Sequence, residues 1–205
     1  MAPKAKAKID RRRPKQRRAR FTVESILDAV VRILKREGVK AVTTNRVAEV
    51  AGVSIGSVYQ YFPDKRAIFV ALHERHIQQI DRIVESKLVE YAESSLDDLI
   101  RAMVEAMIDA HTPDPELYEL LMTEVPHRAE GTREFTVRLH NAFRLAIVAK
   151  AQELKPQRNL DKVVFVVTHM VDSLSHGAVL RRPARVSLAE AKEEAVGAIL
   201  AYLRA

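Results

Sequence analysis

Residues 43–65 read TTNRVAEVAGVSIGSVYQYFPDK, and the punctuation of this stretch decides the fold. Thr43 or Thr44 is a good N-cap for a short helix from Thr44 to Ala51, which turns Val47, Val50 and Ala51 to one side. Gly52 breaks that helix, and Ser54 caps a second one from Ile55 to Phe62. Pro63-Asp64 stops the second helix and opens the next. Two helices of about eight residues, each roughly 12 Å long, joined by the tight turn Gly52-Val53-Ser54, make a helix-turn-helix.

Laid out at about 100° per residue, the second helix turns Val58 and Phe62 inward. Gly56, Ser57 and Gln60 lie opposite them. A face of glycine, a short hydroxyl and an amide is poor material for a core but suits close approach to base edges. Gln60 can pair with adenine through donor and acceptor together, and Ser57 can bond to several bases. Tyr59 and Tyr61 stand on either side of that face, where their hydroxyls could meet the two phosphate backbones that border a major groove. Capped helix N-termini near Thr44 and Ser54 also favour anions.

Working outward, Thr22 reads as the N-cap of a first helix, with Phe21 and Ile26 as a hydrophobic staple. Ile26, Val30, Ile33 and Leu34 form its buried stripe, and Gly38 ends it. Before it, residues 1–20 hold ten Lys or Arg against the single Asp10, a net of +9. The whole chain carries +7, so the remainder carries −2. Blocks of like charge repel, so residues 1–20 read as a disordered basic arm. Arg11, Arg12, Arg13, Arg17, Arg18 and Arg20 could neutralise phosphates or enter a minor groove.

Downstream, apolar residues recur at spacings of three and four, and alternation is rare, so the fold class is all-α, with about nine helices. Helices are expected from about Asp64 to Leu88, Ser95 to Ala110, Pro115 to Val125, Thr132 to Leu154, Asn159 to Leu180 and Ser187 to Leu203. The absence of cysteine excludes disulfides and thiolate metal sites. No uninterrupted apolar run approaches the roughly 18 to 20 residues of a membrane span, and no export signal follows the basic stretch. A cytoplasmic location is the expectation.

The order of turn, Val58-Tyr59-Gln60-Tyr61-Phe62 and the following Lys65 strongly resembles the DNA-binding domain of the tetracycline-repressor (TetR) family, over about Arg20 to His76. The resemblance implies a helix-turn-helix DNA-binding domain over residues 21–66. A helical body over residues 67–205 would bind a small-molecule effector and dimerise. Carried over by position, Thr43 and Thr44 cap and contact phosphate, and Arg46 touches phosphate or base. Ser54, Gly56, Ser57 and Gln60 face the groove, Tyr59 and Tyr61 hold the backbones, and Lys65 adds an anchor. Ile55 stands where many relatives carry Lys or Arg, which suggests a thymine-methyl contact or simple packing.

In the body, the stretch Asn159 to Leu180 is apolar around nearly its whole circumference and reads as a helix buried on all sides. It and the last helix are expected to form a two-fold four-helix interface in a homodimer, with Ser173, Gly177 and Ala178 permitting close approach. Met103, Met107, Tyr118, Leu121, Met122, Phe135, Leu139, Phe143, Phe165 and His169 are candidates for lining the effector pocket that the resemblance implies.

These features together point to a sequence-specific regulator of transcription, a repressor by family expectation, that binds a double-stranded palindromic operator. The rival is a structural nucleic-acid-binding protein that uses its basic arm without reading sequence. An enzyme is not expected, because the chain lacks a phosphate-binding glycine loop, a Gly-x-Ser-x-Gly elbow and a cysteine nucleophile. Neither a cofactor nor a metal is expected; His169, Asp172 and His176 share a helix face but read as satisfied polar groups.

Overall fold

A computed structural model describes residues 12–125, 130–155 and 158–205. Helix α1 spans Arg12–Glu37, α2 Thr44–Ala51, α3 Ile55–Tyr61, α4 Lys65–Glu90 and α5 Leu96–His111. They are followed by α6 at Pro115–Glu124, α7 at Glu130–Ala149, α8 at Leu160–Leu180 and α9 at Leu188–Arg204. Single 3-10 turns occupy Val39–Ala41 and Ala151–Glu153, and there is no strand among the described residues. The chain divides into two compact units, residues 1–71 and 72–205. The first therefore extends five residues past the boundary expected at residue 66, and takes in the fully buried Ile68 and Phe69.

In the first unit, α1 begins ten residues before the expected cap at Thr22. The Thr22 hydroxyl donates to the Arg18 carbonyl at 3.0 Å, an i to i−4 bond inside a continuing helix, and Phe21 is 75% exposed rather than stapled to Ile26. The reading of residues 12–20 as disordered is thus corrected; residues 1–11 lie outside the described residues. Arg, Lys, Gln and Ala are strong helix formers. Pro14 falls in the first turn, where its missing N–H costs no intrahelical bond. The expected stripe of Ile26, Val30, Ile33 and Leu34 is buried, joined by Leu27 and Ala29.

Helix α1 packs on α2, and the Arg32 guanidinium donates to the Val50 carbonyl at 3.1 Å. Gly52 closes α2 in the left-handed conformation, φ 69° and ψ 31°, which a side chain would strain. Its N–H reaches the Glu49 carbonyl at 3.1 Å, and that of Val53 reaches Ala48 at 3.0 Å, so the turn into α3 is bonded on both residues.

The second unit is built around one apolar cluster from α4, α5, α7, α8 and α9, which includes Ile80, Ile100, Met103, Phe143, Val164 and Ile199. Helix α5 starts at the Ser95 cap, whose oxygen accepts from the Asp98 N–H at 3.1 Å, while the Glu153 carboxylate accepts from the Leu96 N–H at 2.8 Å. Helix α7 stops at Ala149, short of the expected Leu154. Lys150, 7% exposed, turns its ammonium inward to donate to the Ala92 carbonyl at 2.9 Å and to that of Ser94. Ser187 and Glu190 form a reciprocal capping box at the start of α9.

Within the single chain helix α8 is buried on one side, whereas burial of its other side was expected against a second subunit. Val163, Val164, Val167, Val171 and Ala178 are buried, but Phe165 is 57% exposed and continues into exposed His169 and Ser173 at four-residue intervals. By length and composition alone α8 is apolar enough to cross a membrane, yet its valine face is packed in this core.

Candidate nucleic-acid interface

The geometry of residues 43–62 follows from two caps. The Thr43 side chain accepts from the Arg46 N–H at 3.2 Å, and the Ser54 hydroxyl oxygen accepts from the Ser57 N–H at 3.0 Å. Ser54 Oγ also lies 2.8 Å from Ser57 Oγ, so its first task is to hold the N-terminus of α3. Val58 and Phe62 are buried and anchor the helix from behind.

With that side fixed, Gly56, Tyr59 and Gln60 are exposed, and Ser57 and Tyr61 are half-buried. Ile55 is 38% exposed, so it faces solvent at the start of α3 rather than the core. A Cβ placed on Gly56 would meet nothing closer than Ser54 Oγ at 3.8 Å, so the fold itself does not demand glycine there. Thr44 Oγ1 and the Tyr59 hydroxyl are 3.3 Å apart and link the first turn of α2 to α3.

Ser57, Gln60 and Tyr61 line one side of an open groove of about 660 Å³, with Gly52, Arg18 and Thr22 among the residues around it. The α1 extension therefore borders the face of α3 that carries Gln60. Arg17 and Arg20 are exposed nearby in the same helix. The backbones of Arg12 and Arg13 belong to α1, whereas Arg11 lies outside the described residues. Lys65 is exposed, its ammonium 5.4 Å from the Phe69 ring centre.

Arg46 is engaged by two carboxylates of its own unit. Its guanidinium forks onto the Glu37 carboxylate, Nη2 at 2.7 Å and Nε at 3.0 Å, and a further nitrogen pairs with Glu49 at 2.7 Å. The bonds from Arg46 hold the Glu37 carboxyl below its ordinary range. Two carboxylates thus compensate the charge read as a DNA contact, and Arg46 serves to tie the end of α1 to α2. Glu49 was visible at i+3 in the sequence; Glu37, beyond the Gly38 turn, was not.

The candidate effector residues do not form one set. Met103, Met107, Leu139 and Phe143 are buried in the apolar cluster, while Met122 and Phe135 are half-buried. Phe165 and His169 are at the surface, their rings 4.2 Å apart. Tyr118 and Leu121 do border a cavity, beside His76 and His111. Among the described residues, no group of three or more His, Cys, Asp or Glu is placed to hold a metal ion.

Residues 26–72 match the family described as bacterial regulatory proteins, tetR family, and residues 95–203 match the tetracyclin repressor-like C-terminal domain. The chain belongs to the TetR family. It is a DNA-binding transcriptional regulator with a helix-turn-helix in its first unit. Among curated relatives of this TetR-family chain, the HTH-type transcriptional regulator AcrR of Shigella flexneri is 24% identical over 164 residues, covering 78% of this chain and 69% of AcrR. The nucleoid occlusion factor SlmA of Haemophilus influenzae strain PittGG is 29% identical over 192 residues, covering 88% and 82%. The fatty acid degradation regulator FadR from Bacillus halodurans shares the fold, with a TM-score of 0.66 at 16% identity over 89% of this chain and 96% of FadR.

Proposed function

We propose that this TetR-family regulator is a cytoplasmic homodimeric repressor that reads a palindromic operator and is released from it by a small-molecule effector. The observation that carries the reading of sequence is the exposed face of α3. Gly56 and Gln60 lie open between a capped helix start and the Thr44–Tyr59 hydroxyl pair. Gln60 and Ser57 supply hydrogen bonds to base edges, while Thr44, Tyr59 and Tyr61 set register on phosphates. The basic residues of α1 add attraction that is the same for every sequence.

Dimerisation is supported by the exposed Phe165, His169 and Ser173 stripe on α8, near the open space at Gly177, where no atom lies within 4 Å of a placed Cβ. Two copies meeting through α8 and α9 would present two copies of α3 to two half-sites. An effector held in the second unit would act through α4, which runs without a break across the unit boundary at Ala71 and Leu72. It must favour one arrangement of the two heads over the other, since equal affinity shifts nothing.

Selection of bound duplexes from a random pool tests this reading. An enriched site with two-fold symmetry, still preferred over a scrambled duplex as salt is raised, is the expected result. Equal loss of both duplexes with salt would replace the reading with binding that ignores sequence.

A further inference from the structure

The second unit carries a cluster of flat polar rings inside an otherwise apolar body. Tyr118 stands 4.0 Å from His111, 5.1 Å from His176 and 5.8 Å from His76, measured between ring centres. His76, His111, Tyr118 and Gln79 line a cavity of about 70 Å³, large enough for more than one water-sized group. His76, Gln79 and Ala110 are shared with a groove of about 460 Å³ that continues along Ile80 and Ile83.

The hydrogen bonds of this cluster fix what its rings can offer. Nδ1 of His111 lies 2.5 Å from the Met107 carbonyl oxygen, and Nδ1 of His176 lies 2.6 Å from that of Asp172. A carbonyl only accepts, so each Nδ1 carries the proton, and Nε2 of each neutral ring is left as an acceptor. Nε2 of His76 is buried and has no hydrogen-bond partner. Leaving such an atom unpaired is costly, and a hydrogen-bonding group in the cavity would relieve it, as an acceptor or a donor according to the His76 tautomer.

Charge on His76 and His111 is disfavoured. Burial, assisted by His111, His73 and His176, pushes the His76 imidazole down to about 3. Burial likewise pushes His111 down to about 4, although the Met107 carbonyl and Asp172 act the other way. An anionic ligand would need an imidazolium that this site resists. A cationic one would meet the same burial that keeps the imidazoles neutral.

We propose that this pocket binds an uncharged small molecule with an O–H or N–H donor head on an apolar body, the head donating to imidazole Nε2 and the body lying along Ile80 and Ile83. The inference rests on the reading of the second unit as effector-binding and narrows it to a ligand class.

The test uses the full chain and para-propylphenol, uncharged at pH 7 since phenols ionise near pH 10. Its methyl ether, para-propylbenzoate and para-propylbenzylammonium serve as comparisons. Calorimetry is expected to show the phenol binding about tenfold or more tightly than each comparison, the ether having lost the single donor. Nitrogen NMR should show the phenol shifting imidazole Nε2. His111→Phe and His76→Phe, checked for folding by circular dichroism, should each weaken the phenol while leaving the ether unchanged. No binding of the phenol, equal binding of the ether, tighter binding of the benzoate, or full affinity in both folded variants would overturn the proposal. Operator affinity, followed in parallel, separates the two readings. Phenol binding at Nε2 without a change in operator affinity supports the ligand class and removes the effector role.

Discussion

The Thr44 and Tyr59 hydroxyls meet at 3.3 Å, so α2 and α3 of the DNA-binding head share a side-chain hydrogen bond. Tyr59→Phe removes one hydroxyl without moving a core group, since Tyr59 is 53% exposed. Quantitative binding should weaken by about 0.5–1.5 kcal/mol on every operator variant alike. Gln60→Ala should instead relax preference by roughly 1–3 kcal/mol at one base pair per half-site. Matching profiles for the two variants would abolish the division into residues that position and a residue that reads.

Gly52 and Gly56 make a contrasting pair. Gly52→Ala forces a side chain into φ 69° and should cost about 1–2 kcal/mol in urea unfolding. Gly56→Ala meets only ordinary contact at 3.8 Å and should leave stability equal or up to about 1 kcal/mol higher, because alanine favours helix. Its operator affinity should nonetheless fall as the methyl enters the space left for base edges. Undiminished affinity in Gly56→Ala would show that α3 does not approach bases on that side.

Stability should decline in mildly acidic solution. His76 and His111 have folded values of about 3 and about 4, both below the ordinary 6.5 expected of the unfolded chain. Between these limits the unfolded chain binds more protons. The stabilisation is therefore complete above about 6.5 and is lost as the pH falls toward the folded values. Each proton contributes a slope of up to about 1.4 kcal/mol per pH unit. Urea unfolding at pH 7 and pH 5 should show a smaller loss in His76→Phe than in the unaltered chain. An identical loss would mean that His76 is not held neutral.

Lys150→Met should destabilise the second unit by about 2 kcal/mol, because a buried apolar chain cannot satisfy the Ala92 and Ser94 carbonyls. Lys150→Arg, which keeps donors, should recover part of that loss. A thermal melt of the two variants checks both; Met and Arg variants of equal stability would show that the bonds contribute little.

Local signals wrote most of the first unit into the chain. The Thr43, Gly52, Ser54 and Pro63 punctuation placed α2 without error and α3 to within one residue. Charge misled at residues 12–20, where repulsion suggested disorder but helix-forming residues joined to an apolar stripe prevail. At Arg46 it left unseen the partner Glu37, which lies across a turn. The body was harder to read. Methionine and phenylalanine periodicity marked buried surface without separating core from cavity wall. The His76, His111, Tyr118 and His176 cluster draws on four helices, so no spacing within one segment could reveal it. Apolar residues around all of α8 were correctly seen, but whether each meets its own chain depended on packing that sequence does not record.

The helical state of residues 12–20 sets a limit on reach. Nine residues wound as α-helix advance about 14 Å, whereas the same nine extended would span about 30 Å. Arginines carried on such a spine cannot sweep the duplex as a tether would. Arg18 is fixed at the wall of the Gln60 groove, so inserting a single residue between it and Thr22 would rotate it by about 100° relative to that wall.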